Sequence, residues 1–394
     1  MKITSVRCRE FTGMMAFEGE FWEERLCRPI DIYPEHRAQG PHWLERVADG
    51  HYRMRSTFLE IGTDSGITGL AGPVSEDVAR IILGEFKGLL MDADPRATEL
   101  LWDKMYRLAV HGRKGPTMMA ISAIDCALWD IRGKWADAPV YLLLGGLTQP
   151  RIRAYASMLG FSVEPERAAE RAKEFAAKGY TAQKWFFRAS PVEGAPGMER
   201  NIALVQAVRD AIGQEAELML DCWMSWDLRY AQLMAPHLAP LNPRWIEEPV
   251  LPDKYDICAA IRRAVPFPVS NGEHEYTRWG FRRLLEVGAQ DVLQPDIYWA
   301  GGITETLKIC ALASAYDVEV IPHGHSSHAT AHLIASQPPN LCPLQEYLVK
   351  WNTVHQFFIK EKVEPVAGYI TPPDRPGMGL EIDRDLVEQE AIWE

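Results

Sequence analysis

Residues 217–247 read ELMLDCWMSWDLRYAQLMAPHLAPLNPRWIE, and this stretch decides the fold. A short apolar run stands at each end, and each run stops at an acidic residue, Asp221 or Glu247. The run 218–220 is apolar at every position, which is typical of a strand buried on both faces of a parallel sheet. The interval between the runs is long enough for the helix that connects parallel strands. We therefore predict a strand–helix–strand unit whose strands end in carboxylates.

The same pattern extends outward from this unit, with about 23 to 35 residues between runs. Most intervals carry an amphipathic helical pattern, such as those at 168–178, 202–212, 279–287 and 303–316. The strand-like runs are 151–156, 182–187, 217–221, 244–247, 268–273, 291–296, 318–323 and 344–347. Eight strands that alternate with helices predict a parallel (β/α) barrel.

Seven successive strands of this barrel carry an ionisable residue at or near the carboxyl end. These residues are Lys184, Asp221, Glu247, Glu273, Asp296, His323 and Glu346. Any one of them is explained equally well as a helix cap or an ion pair. Because the carboxyl ends of barrel strands converge on one mouth, seven in succession indicate a functional site there.

Asp221, Glu247 and Glu273 come from adjacent strands and form a set of oxygen ligands. Such a set favours Mg²⁺, with Mn²⁺ as the second choice, over zinc, which prefers nitrogen and sulfur. The alternative is an acidic cluster engaged by arginines. We predict a divalent-metal site.

His323 and Asp296 end neighbouring strands, so the carboxylate can orient the imidazole and raise its basicity. We predict that His323 is a general base; a structural histidine is the alternative. His325, His328 and His332 are read as packing or loop residues, since a better metal site exists. His274 is equally consistent with substrate contact and with support of the metal ligands.

Lys184 either holds a substrate carboxylate or neutralises the acidic mouth, and we place it in the site. Trp223 is either part of an apolar wall or core. Residues 11–55 show no steady period between strand-like runs at 2–8 and 57–62, which predicts a long loop of the kind that covers a binding site. Its candidate substrate contacts are His36, His42, Arg53 and Arg55, with surface charges as the alternative for most of them.

The net charge of −12 argues against a nucleic-acid partner or an acidic membrane surface, both of which attract basic proteins. The chain shows no signal peptide and no apolar run of membrane-spanning length. Its seven cysteines are scattered and odd in number, which indicates reduced thiols and a cytoplasmic protein.

Several stretches together resemble the mandelate racemase branch of the enolase superfamily. They are AISAIDCALW (120–129), PVYLLLGG (139–146), LMLDCW (218–223), WIEEP (245–249), GEH (272–274), QPD (294–296) with GG at 301–302, and PHG (322–324). Within the branch they look most like the L-rhamnonate dehydratases and related acid-sugar dehydratases.

The resemblance implies an α+β capping domain at 1–135, with residues 365–394 folding back onto it, and a modified (β/α)₇β barrel at 136–364. It implies Mg²⁺ at Asp221, Glu247 and Glu273, and a catalytic contact of Glu346 with the substrate carboxylate. It also implies an even-numbered homo-oligomer.

Phe186 marks a departure from the racemases of that branch, which carry a second lysine at this position as a base on the opposite face. A single base favours dehydration of an aldonate, such as L-rhamnonate, to a 2-keto-3-deoxy acid. The alternatives are another one-base reaction, such as cycloisomerisation, and a catalytically idle relative that binds a metabolite or serves regulation. The intact pair of His323 and Asp296 argues against the idle relative.

Overall fold

A computed structural model describes residues 1–37 and 44–394 of the chain, so the candidate His42 lies outside the described residues. The strands of the described residues are β1 Ile3–Ala16, β2 Glu45–Ala48, β3 His51–Thr63, β4 Thr68–Val74, β5 Ile152–Ser157, β6 Ala182–Phe186, β7 Glu217–Asp221, β8 Pro243–Glu247, β9 Val269–Asn271, β10 Val292–Leu293, β11 Glu319–Val320, β12 Gln345–Leu348, β13 Tyr369–Ile370 and β14 Gln389–Trp393.

The helices connect and cover these strands. They are α1 Pro34–Arg37, α2 Glu76–Ile81, α3 Lys87–Leu90, α4 Thr98–Leu108, α5 Pro116–Trp135, α6 Val140–Leu143, α7 Pro165–Ala177, α8 Gly194–Ile212, α9 Leu228–Leu238, α10 Tyr255–Ala264, α11 Thr277–Val287, α12 Ile297–Ala300, α13 Gly302–Ser314, α14 Ser327–Ala335 and α15 Val349–His355. One π-helical turn, Ile82–Phe86, joins α2 to α3.

The strands β5 to β12 form one curled parallel sheet, in the order β11-β10-β9-β8-β7-β6-β5-β12. Most of the intervening helices pack outside this sheet, as the alternating pattern predicts. The predicted barrel is confirmed, and each of the eight predicted strands is found within a few residues of its expected position. No helix in the described part of the chain is both long enough and apolar enough to cross a bilayer.

A second, antiparallel sheet joins the two ends of the chain. Strand β1 pairs with β3 on one side and with the C-terminal strand β14 on the other, and β2 and β4 pair with β3. Helix α5 packs against β4 in this sheet and against α12 and α13 in the barrel. Its side chains from Ala120 to Ile131 are buried throughout. The helix therefore connects the two parts of the fold.

The prediction of one long loop from residue 11 to residue 55 is wrong at both ends. Strand β1 runs on to Ala16, and β3 begins at His51. The alternation is present but weak, since Tyr52 and Met54 are buried whereas Arg53 lies between them on the more exposed side. Long charged residues at every second position hide the period of a strand that is buried on one face.

Candidate active site at the barrel mouth

One layer of apolar side chains fills the barrel interior and fixes where the ionisable residues point. The layer takes one residue from each of seven barrel segments: Tyr155, Ala182, Met219, Trp245, Val292, Ile321 and Leu344. Side chains two residues apart on a strand share a face. Lys184, Asp221, Glu247, His323 and Glu346 each follow a member of this layer by two positions. They therefore project into the interior as the next layer, toward the carboxyl ends of the strands.

Three of these strand-end carboxylates converge as predicted. Ligand oxygens of Asp221, Glu247 and Glu273 all lie within 4.8 Å of one another, and all three residues are buried. Burial, followed by the charge of Glu247, raises the pKa of Asp221 well above its usual value. Negative charges held this close in a buried site need a cation, and an all-oxygen set fits a hard divalent ion such as Mg²⁺.

Hydrogen bonds fix two of these carboxylates in place. Glu247 Oε2 accepts hydrogen bonds from Trp245 Nε1 at 2.9 Å and from Gln294 Nε2 at 2.8 Å. Asp221 Oδ1 accepts one from the backbone N–H of Trp223 at 2.8 Å. Hydrogen bonds of this kind, made to carboxylates that can bind a metal ion, orient the ligand oxygens and limit their rearrangement.

Lys184 is buried among these acids. Its Nζ lies 3.2 Å from Asp221 Oδ2 and 2.8 Å from Glu346 Oε1, and it also contacts Glu247. Burial opposes a charged lysine, but the charges of Glu247 and Glu346 outweigh it and raise the pKa of Lys184. In this arrangement the ammonium neutralises the acidic mouth. It also lines the cavity, where a substrate carboxylate can reach it.

Glu346 is fully buried on the last barrel strand. Its Oε2 accepts a hydrogen bond from the backbone N–H of Gly324 at 2.9 Å, and its Oε1 faces Lys184. Burial works to raise the pKa of Glu346, but the charges of Lys184 and His323 outweigh it and lower that pKa. Glu346 is therefore an anion that is hydrogen-bonded to the backbone directly after His323.

His323 and Asp296 form the predicted pair. His323 Nδ1 lies 2.7 Å from Asp296 Oδ2, while the other carboxylate oxygen, Oδ1, accepts the backbone N–H of Tyr298 at 2.7 Å. With Nδ1 engaged, Nε2 is the free nitrogen, and it lies 3.7 Å from Glu273 Oε2. Burial opposes protonation of His323, yet Glu273 and the hydrogen bond to Asp296 raise its pKa to about 10. In this arrangement the imidazole is therefore strongly basic and holds a proton at neutral pH, and the charge of Glu273 is the main reason.

His274 contacts Glu248, a carboxylate that was not among the predicted site residues. Its Nδ1 lies 2.8 Å from Glu248 Oε2 and 3.5 Å from Glu273 Oε1. Burial opposes a charged imidazole, but Glu248 and then Glu273 raise the pKa of His274 to about 9. The sequence signal for Glu248 was the pair of adjacent glutamates in the motif WIEEP (245–249). A strand's alternation points Glu248 away from the barrel interior, but its backbone turns at φ 40° directly after β8.

A cavity of about 310 Å³ opens beside these residues. Asp221, Glu273, His274, His323, Lys184 and Trp223 line it. Arg53 is not brought to it: its guanidinium pairs with Glu45 at 3.2 Å on the antiparallel sheet. Arg55 is exposed on the same strand. The remaining wall is apolar or aromatic and includes Trp22, Phe186, Leu159, Trp299, Leu348 and Trp351.

Sequence reasoning missed most of this wall. Trp22 lies in the segment read as a featureless loop, and Trp299 and Trp351 follow the strands β10 and β12. The ring of Trp299 lies 5.0 Å from that of His323 and 5.7 Å from that of His274. A tryptophan shortly after a strand that carries a catalytic candidate was the signal for these two.

The chain belongs to the mandelate racemase and muconate lactonizing enzyme family, within the enolase superfamily. The family's N-terminal domain matches residues 35–145, and the enolase C-terminal domain-like family matches residues 167–386. Together these matches cover most of the chain.

Several proteins similar to this chain are named as rhamnonate dehydratases, and one similar structure is that of a cycloisomerase. An L-rhamnonate dehydratase from Saccharopolyspora erythraea is 33% identical over 98% of each chain. A rhamnonate dehydratase structure from Gibberella zeae, complexed with Mg, has a TM-score of 0.82 at 33% identity and covers 98% of this chain and 95% of that one. The 3,6-anhydro-D-galactonate cycloisomerase from Zobellia galactanivorans has a TM-score of 0.80 at 28% identity and covers 99% and 100%.

Proposed function

We propose that this protein is a Mg²⁺-dependent acid-sugar dehydratase, a hydro-lyase that converts an aldonate such as L-rhamnonate to the 2-keto-3-deoxy acid. The observation that carries the proposal is the pair of His323 and Asp296 beside three converging carboxylates. The relatives named as rhamnonate dehydratases support the reaction, and the Mg in the Gibberella zeae structure supports the cofactor.

Asp221, Glu247 and Glu273 would hold the ion. Mg²⁺, when bound there, stabilises the negative charge that develops on the substrate carboxylate and takes up the charge of Glu273 that otherwise favours a protonated His323. Lys184 would bind the carboxylate end of the substrate, and the Glu346 carboxylate orients the Lys184 ammonium. A direct hydrogen bond from Glu346 to the substrate carboxylate would require Glu346 to take up a proton.

His323 Nε2 would remove the proton from carbon 2. Asp296 keeps the proton on Nδ1 and stabilises the imidazolium that forms. That imidazolium then returns its proton to the hydroxyl on carbon 3, which leaves as water. The resulting enol tautomerises to the 2-keto acid, so all atoms are accounted for without a second base.

Phe186 supports a one-sided reaction. It lines the cavity two residues beyond Lys184, and its ring lies 5.4 Å from Lys184 Nζ. A phenyl ring neither accepts nor donates the proton that a racemase must exchange on the opposite face. Cycloisomerisation is the second candidate, because the Zobellia galactanivorans enzyme is similar over the full chain.

The test is a product screen. The protein is incubated with Mg²⁺ and a panel of aldonic and aldaric acids, with 3,6-anhydro-D-galactonate included, and 2-keto-3-deoxy acids are identified by mass spectrometry. We expect turnover of an aldonate that is abolished by EDTA and restored by Mg²⁺. Conversion of the anhydro sugar alone would favour the cycloisomerase, and no turnover at all would favour an idle relative and refute the proposal.

Cellular location, oligomeric state and partner belong to the same proposal. All seven cysteines are buried free thiols, which agrees with a reducing cytoplasm. The resemblance to the family adds an even-numbered homo-oligomer. The partner would be a small acid sugar, without nucleic acid or membrane.

A further inference from the structure

Two histidines stand out on the aromatic wall of the cavity, and the proposed mechanism does not use them. His325 follows the base by two residues, and His355 ends helix α15. Both rings line the cavity. Among the described residues of this wall they are the side chains that can both donate and accept a hydrogen bond, since tryptophan only donates and leucine and phenylalanine do neither.

The two imidazoles face each other at close range. Their ring centroids are 4.4 Å apart, and neither Nδ1 has a hydrogen-bond partner among the described residues. Trp299 lies against His325 at 5.6 Å, and Trp351 stacks on His355 at 5.8 Å. A buried polar nitrogen without a partner destabilises a protein. Both Nδ1 atoms are shielded from solvent, so a ligand in the cavity reaches these rings through their other nitrogens.

The pair is neutral at physiological pH. Burial lowers the pKa of both residues, and the positive charge of a protonated His323 lowers them further. The remaining nitrogen of each neutral imidazole donates or accepts according to the tautomer; a hydroxyl group can match either role, whereas a carboxylate can only accept. Among the described residues that line the cavity, Lys184 is the only lysine or arginine, and its charge is already shared by three carboxylates.

The position of the pair relates it to the far end of the substrate. Trp299 contacts both His323 and His325, so the pair lies one ring beyond the base along the wall. A substrate whose carbon 2 lies at His323 Nε2 and whose carboxylate lies toward the acids would extend its remaining carbons along this wall.

We propose that His325 and His355 form a subsite for the hydroxyl groups on the distal carbons of the substrate, and thereby select aldonates over aldarates. This inference rests on the proposed dehydratase function and names two specificity-determining residues for it. It assigns them no part in moving the proton from carbon 2.

The test compares substrates within each variant. We measure kcat/KM for L-rhamnonate, or for whichever aldonate the wild type dehydrates fastest. The same constant is measured for its analogues that lack the hydroxyl on carbon 4 or on carbon 5, and the ratio of the two constants is compared. We expect at least one ratio of about tenfold or more in the wild type, falling toward one in His325→Phe or His355→Phe. Phenylalanine keeps the ring packing, and a ratio does not depend on how much of a variant is folded.

Two further variants sharpen the outcome. His355→Gln, which retains a donor and an acceptor, should keep part of the discrimination, and His237→Phe on the exposed face of α9 should keep all of it. Unchanged ratios in both cavity variants would overturn the subsite while leaving the dehydratase intact. A wild type that dehydrates no aldonate would instead refute the proposed function, and the subsite with it.

Discussion

His323 Nδ1 lies 2.7 Å from Asp296 Oδ2, and this contact joins the ends of two adjacent barrel strands that the sequence separates by the helices α12 and α13. The carboxylate has no further freedom, because its other oxygen accepts the N–H of Tyr298 at the start of α12. The geometry therefore fixes which imidazole nitrogen faces the cavity.

Asp296→Asn should reduce kcat by about 10²- to 10⁴-fold with little change in KM. The amide cannot stabilise the imidazolium and can favour the wrong tautomer of His323. Steady-state kinetics on the substrate found in the screen measures the effect, and circular dichroism checks the fold. A loss of less than threefold would show that Asp296 is not the orienting group.

Glu273→Gln should weaken Mg²⁺ binding by at least tenfold, because it removes a charged ligand from a three-carboxylate set. Isothermal titration with Mg²⁺ measures the affinity without any need for activity. Asp253→Asn on an exposed loop is the matched control and should bind Mg²⁺ like the wild type. Equal affinities in Glu273→Gln and the control would contradict the assigned site.

Lys350→Met should raise KM several-fold and leave kcat largely unchanged. The buried Lys350 Nζ donates to Glu20 O at 3.0 Å and to Gly160 O at 2.9 Å, and it pairs with Glu23 at 2.8 Å. These contacts hold the segment that places Trp22 over the cavity.

Trypsin provides a second measurement of the same contact. Loss of the link should expose the bond after Arg25 to faster cleavage, since local opening controls proteolysis. Lys360→Met, which removes an exposed ion pair with Glu381, is the control. Equal KM values and cleavage rates in the two variants would show that Lys350 does not hold the segment.

Asp125→Asn should remove a pH dependence of stability. Burial raises the pKa of Asp125 from 3.8 to about 7. The folded protein therefore keeps a proton that the unfolded chain releases, and the free energy of unfolding falls as pH rises from about 4 to about 7. Three pKa units correspond to about 4 kcal/mol.

Urea denaturation of the wild type and of Asp125→Asn at pH 5 and pH 8 measures this contribution. The wild type should lose more stability than the variant between the two pH values, because asparagine does not ionise. The backbone N–H of Thr304, 2.9 Å from Asp125 Oδ2, retains an acceptor in both proteins. Identical losses would show that Asp125 is already ionised in the folded state.

The sequence was sufficient to predict the barrel because each strand can be recognised from a few neighbouring residues. An apolar run that ends in an acid, as at Asp221, predicts both a strand and the side chain's location, since all strand ends meet at one mouth. Trp22, His325 and His355 could not be placed in this way. Their positions depend on loop paths and on contacts between distant segments, such as that of Lys350 with Glu23.

Arg53 is the opposite case, a predicted site residue that the structure does not bring to the cavity. A charged residue in a region read as a loop resembled a substrate contact, whereas the region continues as strand β3 and the side chain pairs with Glu45. Glu248 was passed over because strand alternation points it outward, and only the turn after β8 brings it to His274.

The most direct test of the account is the rate at which His323→Asn forms 2-keto-3-deoxy acid in the presence of saturating Mg²⁺. Asparagine preserves polarity but cannot accept the proton, so we expect a rate at least about 10³-fold below that of the wild type. The variant should still bind Mg²⁺, because His323 is not a ligand. A variant that binds Mg²⁺ and dehydrates its substrate at the wild-type rate would contradict the central claim that His323 is the base.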